Sequence, residues 1–436
     1  MKFHKLIAYM ASALLLSAAA LLIAADNGAA QAGGLTVHEW GTFTSVAGED
    51  GAAVDWDALG GKCDLPDFVN YAGYRGVKFG LTGTVRMETP VMYFYSQRET
   101  AARVEVHFPH GVITEWYPNG DNQIYESRSL MDQMAVHTHV PLYSEGAIYQ
   151  TNNLLDPPPA GLGPQVVKLS PSLNGIDTSL THLMGTISWS DIKIQPGATD
   201  AFPVEAGASR YYAARDTDAA PITAGGQHEK FLFYRGVGRF AVPLTARVSG
   251  DGKVAVAKPG AEAVPMAMLF ENRGGRLGYR VAGAVSGPIT LDPPALDGSL
   301  PQLRADLENA LVAQGLFRKE AHAMVETWHD SWFEEGSRLI YIVPPHAIDD
   351  ALPLQVDPRP SQTTRVFVGR IELITPATRR AVEAAMAVSD VSAIERFGRF
   401  LDPILNRMVS ENPASADRIQ ELRAKVQGSF STGACR

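Results

Sequence analysis

The chain has 436 residues, 45% of them hydrophobic and 19% charged, enough for two packed domains or one large one with additions. Its 38 basic and 47 acidic residues leave a formal net charge of −9, and no Lys/Arg-rich run offsets it. That balance argues against a nucleic-acid partner, because phosphate binding needs a basic surface. The 40 Gly and 28 Pro favour many short strands and turns over long helices.

The first elements concern the compartment. Lys2 and Lys5 precede an almost unbroken apolar run, Leu6–Ala25, and Ala30-Gln31-Ala32 supplies a small-x-small cleavage site. This pattern predicts a signal peptide over residues 1–32 and a periplasmic or secreted mature protein with no stable membrane span. The alternative is an uncleaved anchor, since the apolar run approaches the length of a span. Cys63 and Cys435 are the only cysteines. In an oxidising compartment they can pair, and two unpaired thiols are the other reading.

From residue 33 to 297 the pattern is strand-like, predicting a mainly β domain of sandwich or jelly-roll type. RVEVHF (Arg103–Phe108) alternates, with Val104, Val106 and Phe108 on one face and Arg103, Glu105 and His107 on the other. TVHEWGTFTSV, VRMETPVMYFYS, AVHTHVPLY, LMGTISWSDIKI, SRYYAARD and KFLFYRGVGRFAV read the same way, separated by Gly, Pro, Asn and Asp clusters. AMLFENRGGRLGYRVAG reads as a hairpin turning at Asn272–Gly275. Asp292–Pro301 breaks both regular structures, and from 298 to 436 the periodicity becomes that of a smaller α+β, helix-rich region. Helices are expected at Leu303–Val312, Phe317–Phe333, Pro376–Ser410 and Asp417–Val426, with strands at RLIYIV and TRVFVGRIELI.

VHEWGTFTS, METPVMYFYS and WHDSWFEEG resemble signatures of a family of exported bacterial proteins. The resemblance covers most of the mature chain. It implies export and no particular activity.

The chemistry-bearing candidates are histidines. On a helix, His322, Glu326 and His329 share one narrow stripe, about 130° from the apolar stripe of Phe317, Ala321, Met324, Val325, Trp328 and Trp332. One reading is an ordinary solvated face. The other is a divalent-metal site, zinc first, with Glu326 as ligand or general base and Asp330, Glu334 and Glu335 in support. For that site the stripe is expected to turn toward the β-domain, where His137 and His139 would complete it. These two project from one face of a strand, and with Glu145 they weakly resemble the metal motif of cupins. His38, His107, His110 and His228 read as structural or exposed. Tyr211, Tyr212, Arg210 and Arg215, with Tyr93, Phe94 and Tyr95, read as sheet packing or as aromatic-guanidinium contacts for a polar ligand.

Three functions are therefore weighed. The first is an exported, metal-binding protein acting as a metal-dependent hydrolase, in which a bound ion would lower the pKa of its water. The second is a non-catalytic β-sandwich protein of the cell envelope that binds a small molecule or glycan. The third is a structural envelope subunit.

Overall fold

The computed structural model describes residues 34–58, 65–72, 82–127, 166–169, 183–199, 201–207 and 209–430. The predicted signal peptide, Cys63, Cys435, His137, His139 and Glu145 lie outside the described residues.

In chain order the first strands are β1 (Thr36–Val46), β2 (Trp56–Asp57), β3 (Asn70–Tyr71), β4 (Thr82–Gly83), β5 (Val85–Tyr95), β6 (Thr100–Phe108), β7 (Gly111–Tyr117) and β8 (Asp121–Ser127). Then come β9 (Val166–Leu169), β10 (Leu183–Ile194), β11 (Ile222–Ala224), β12 (Gln227–Glu229) and β13 (Leu232–Gly238). β14 (Thr245–Val248), β15 (Val254–Ala257), β16 (Val264–Arg273), β17 (Arg276–Val285) and β18 (Ile289–Leu291) complete the strand-rich part. From residue 300 helices dominate: α1 (Leu300–Ala313), α2 (Arg318–Trp332), α3 (Pro345–Ala351), α4 (Pro376–Ala387), α5 (Val391–Glu395), α6 (Leu401–Glu411) and α7 (Ala416–Phe430). Three strands interrupt them, β19 (Gly336–Ile342), β20 (Leu354–Asp357) and β21 (Gln362–Leu373).

The protein is thus mainly β with a helix-rich C-terminal part. The change of pattern near residue 298 does not separate two sheets, however. The nine-stranded sheet runs β17-β16-β19-β21-β1-β5-β13-β7-β3, so two late strands lie between early ones. β1 pairs in parallel with β21 and antiparallel with β5. A second sheet runs β12-β11-β10-β6-β20, with β8 also on β10, and it too takes a late strand.

Both faces of the large sheet are covered around β1, all eleven of whose residues are buried. One face carries Val37, Phe43, Phe94, Tyr234 and Phe367 and shares a core with Val104, Val106, Phe108, Ile124, Ile187 and Trp189 of the second sheet. The other face carries Trp40, Tyr93, Phe270, Ile340 and Val366 and packs on Leu303, Leu307 and Leu311 of α1 and Met324, Val325, Trp328 and Trp332 of α2. The predicted apolar stripe of α2 is therefore its packing stripe, with Phe317 at its start left 36% exposed. The β16–β17 hairpin turns where expected, through Gly274 and Gly275 at φ 58° and 80°, the conformation that a two-residue hairpin loop demands. SRYYAARD is corrected: Arg210–Arg215 is a 3-10 helix that packs against α2. Ser209 caps it, and Arg215 is drawn away from any ladder by bidentate hydrogen bonds to Glu229 at 2.9 and 2.6 Å.

At one end of the helix-covered face, apolar residues give way to buried charge. Arg86, Glu88, Arg235, Arg338, Arg370 and Glu372 are each at most 6% exposed. Arg338 holds the end of α2 by donating to the carbonyls of Trp332 (3.0 Å), Glu334 (2.6 Å) and Glu335 (2.8 Å), while its Nε donates to Glu372 at 2.9 Å. Arg370 donates to Ser331 Oγ (3.0 Å) and Glu334 (2.6 Å), and Arg399 joins the same Ser331 Oγ to Glu88. A helix C-terminus leaves carbonyls unpaired and carries partial negative charge, so guanidinium groups suit it. Burial, with Arg338 and Arg399 adding to it, pushes the Arg370 guanidinium down to about 10. Burial raises the Glu88 carboxyl, but Arg399, Arg86, Arg370 and Arg235 overcome it and hold the group below its ordinary value. The three segments VHEWGTFTS, METPVMYFYS and WHDSWFEEG meet here: Thr44 donates to Glu88, and Arg399 links Glu88 to Ser331.

Candidate functional site

The stripe of His322, Glu326 and His329 forms as the spacing predicts, but it faces outward. His322 and His329 side chains are 47% and 50% exposed, and Glu326 is 34% exposed. The expectation that this face turns toward the β-strands is corrected, for a simple reason: the apolar stripe of the same helix already occupies the sheet. Glu326 is ion-paired with Arg304 of α1, and His322 Nδ1 lies 2.9 Å from Glu308 Oε1. His329 Nδ1 bonds the carbonyl of Glu326 at 2.7 Å. The supporting acids are engaged elsewhere. Asp330 pairs with Arg210 at 3.2 Å, Glu334 with Arg370, and Glu335 accepts the Gly274 N–H at 2.9 Å. Among the described residues no three His, Cys, Asp or Glu side chains are disposed to hold one ion.

His38 and Glu39 point to opposite faces of β1, as alternation requires. His38 Nδ1 lies 2.8 Å from Glu320 Oε2, with both side chains wholly buried. Glu320 also accepts the Tyr95 hydroxyl at 2.8 Å and the Phe317 N–H at 2.7 Å, so it satisfies the N–H of the residue that starts α2 while tying the helix to the sheet. Glu39 takes the Tyr234 hydroxyl and the Arg365 Nε, the latter at 2.6 Å. Burial first, and the neighbouring Glu320 second, raise the Tyr95 hydroxyl far above its ordinary value. These buried pairs hold elements together.

Open polar space lies instead on the outer face of the second sheet. The alternation that buries Val104, Val106, Ile124 and Ile187 sends their neighbours outward. Ladder register then sets those neighbours in rows. Ser188 of β10 sits opposite Glu105 of β6 on one side and Asp121 of β8 on the other, and Glu105 sits opposite Gln355 of β20. One row thus reads Gln355, Glu105, Ser188, Asp121 and spans about 14 Å at the usual strand spacing. The flanking positions are Asp357 opposite Arg103, and His107 and Gln123 on either side of Thr186. Together with Tyr125 and Val356, most of these residues line an open cavity of about 540 Å³.

The lining mixes donors and acceptors. Arg103 donates to Glu105 at 3.2 Å, Gln123 donates to Asp121, and Thr186 Oγ1 lies 3.3 Å from His107 Nδ1. Ser188, Gln355 and Asp357 make no side-chain hydrogen bond among the described residues. Three carboxylates, Glu105, Asp121 and Asp357, stand against the single guanidinium of Arg103. The groove therefore offers hydrogen bonds in both senses with an acidic bias. Two of its ten lining residues, Arg103 and Glu105, were readable as the outward face of RVEVHF. Gln355 and Asp357 were missed because they arrive from the C-terminal part, and no local pattern announces a pairing between residues some 250 apart in sequence.

The comparisons with known proteins add little. No family model matches the sequence, and no curated protein is similar to it. Among solved structures, the Fcho1 Mu homology domain of Danio rerio, with bound Eps15 peptide, is similar over 78% of this chain and 96% of that chain, at 8% identity. Its TM-score is 0.26, too low for the likeness to bear on fold or function.

Proposed function

We propose that this is an exported binding protein whose groove on the second sheet holds an uncharged, hydroxyl-rich ligand of the glycan class. The observation that carries the reading is the register-aligned row Gln355, Glu105, Ser188, Asp121 at the floor of an open cavity of about 540 Å³. Sugar hydroxyls both donate and accept, and they match a wall of amides, hydroxyls and carboxylates better than any purely apolar or purely charged ligand does. The acidic bias of the groove and the net charge of −9 disfavour sulfated or phosphorylated polymers. Export rests on the N-terminal pattern of Lys2, Lys5, the apolar run and Ala30-Gln31-Ala32.

Screening the purified protein against arrayed neutral, amine-bearing and sulfated glycans tests the class. Selective retention of neutral glycans is expected. Preference for sulfated glycans, or retention of none, overturns it.

A further inference from the structure

A second, smaller cavity of about 120 Å³ lies on the other side of the molecule's large sheet from α1 and α2, where five separate segments meet. Its walls come from β16, β19, the Gly250–Gly252 turn with Pro293–Pro294, and the first turn of α4. None of it belongs to the groove.

Its centre is Glu271, only 3% exposed and cross-strand from Ser337. All the hydrogen bonds to this carboxylate fall on one oxygen: Ser337 Oγ donates to Oε1 at 3.0 Å, and Arg273 reaches the same atom through Nε and Nη2. Oε2 accepts none among the described residues. Oε2 is open to the cavity, where it can accept from whatever N–H or O–H enters. At the mouth, Arg380 makes no ion pair among the described residues, whereas Arg273 is held by Glu271 and Asp251 by Ser249. The helix start contributes little, because Thr375 Oγ1 already accepts the Thr378 N–H. The cavity thus presents one open carboxylate oxygen inside and one cation without an ion pair among the described residues at its mouth.

We propose that this cavity binds a small zwitterion of the α-amino-acid class, its ammonium on Glu271 Oε2 and its carboxylate on Arg380. An ammonium supplies donors to the open Oε2, and a guanidinium matches a carboxylate in charge and geometry. A cavity of about 120 Å³ suits the smallest members of the class, glycine first.

Calorimetric titration of the full chain with glycine tests this, with acetate and methylamine titrated as half-ligands. Saturable glycine binding is expected, with each half-ligand weaker. Arg380→Ala, at an exposed position, and Glu271→Gln, which keeps the Oε1 acceptor for Ser337 and Arg273, should each weaken glycine by about tenfold or more. Thermal unfolding of the unliganded variants is the control that both remain folded. Absence of glycine binding overturns the proposal, as does binding that both variants retain unchanged. Acetate binding as tightly as glycine overturns the role given to Glu271.

Discussion

Replacing Arg338 with Leu tests whether the buried charge layer is what seats α2 on the sheet. Arg338 is wholly buried and makes hydrogen bonds to three carbonyls at the end of α2 and to Glu372. Its removal leaves Glu372, 1% exposed, with Arg370 as its nearest cation at 3.9 Å. Stranding one partner of a buried pair typically costs about 3–5 kcal/mol. The carbonyls of Trp332, Glu334 and Glu335 lose their donors as well, so the upper end of that range is expected. Removing Glu372 too, in Arg338→Leu/Glu372→Leu, should restore about 2 kcal/mol, because the stranded charge disappears while the unpaired carbonyls remain. Urea unfolding of the two variants and the parent measures both quantities through the midpoint and slope. A single variant within about 1 kcal/mol of the parent would refute the reasoning, and so would a double variant less stable than the single one.

Other outcomes follow from the same structure. Glu88 has its folded pKa depressed, so its contribution is present above the ordinary value of 4.5 and is lost as pH falls through the folded value. Glu88→Gln should therefore lower stability at pH 7 and flatten the acid limb of the stability–pH curve; an acid limb as steep as the parent's contradicts the pairing with Arg399 and Arg86. Because Glu326 is committed to Arg304, His329→Ala should leave the zinc content of purified protein unchanged by mass spectrometry. Loss of one equivalent of zinc in that variant would restore the metal reading of His322, Glu326 and His329. N-terminal sequencing of exported material should begin at Gly33 or within a few residues, and an intact Met1 on the mature protein would contradict the cleavage site.

How much of this was legible depended on whether the deciding contacts were local. β6 and the β16–β17 hairpin could be read from alternation and turn chemistry, since Val104, Val106 and Phe108 face the core and Gly274–Gly275 make the loop. The apolar stripe of α2 was equally plain, because it depends only on helical spacing. The sheet order was not legible. β20 and β21 join strands more than 200 residues earlier, and nothing local in either segment specifies such partners. The polar residues of β1 show how far burial depends on distant partners. His38, Thr42 and Thr44 lie on the face that α1 and α2 cover, where Glu320 meets His38 and Glu88 meets Thr44, while Thr42 Oγ1 has no partner among the described residues. The metal stripe illustrates the opposite case. Its geometry along the helix was right, but which way the helix faces is decided by packing, and Trp328 and Trp332 decide it.

The groove is the central claim, and one titration tests it most directly. A neutral oligosaccharide retained by the protein should be titrated calorimetrically against the parent and against Gln355→Ala/Asp357→Ala, which removes two exposed side chains on β20 and leaves the buried face of the sheet intact. Two lost polar contacts of about 0.5–1.5 kcal/mol each predict a weakening of roughly 5- to 150-fold. The account predicts that loss with no change in the thermal midpoint. Unchanged affinity in the folded double variant would contradict it.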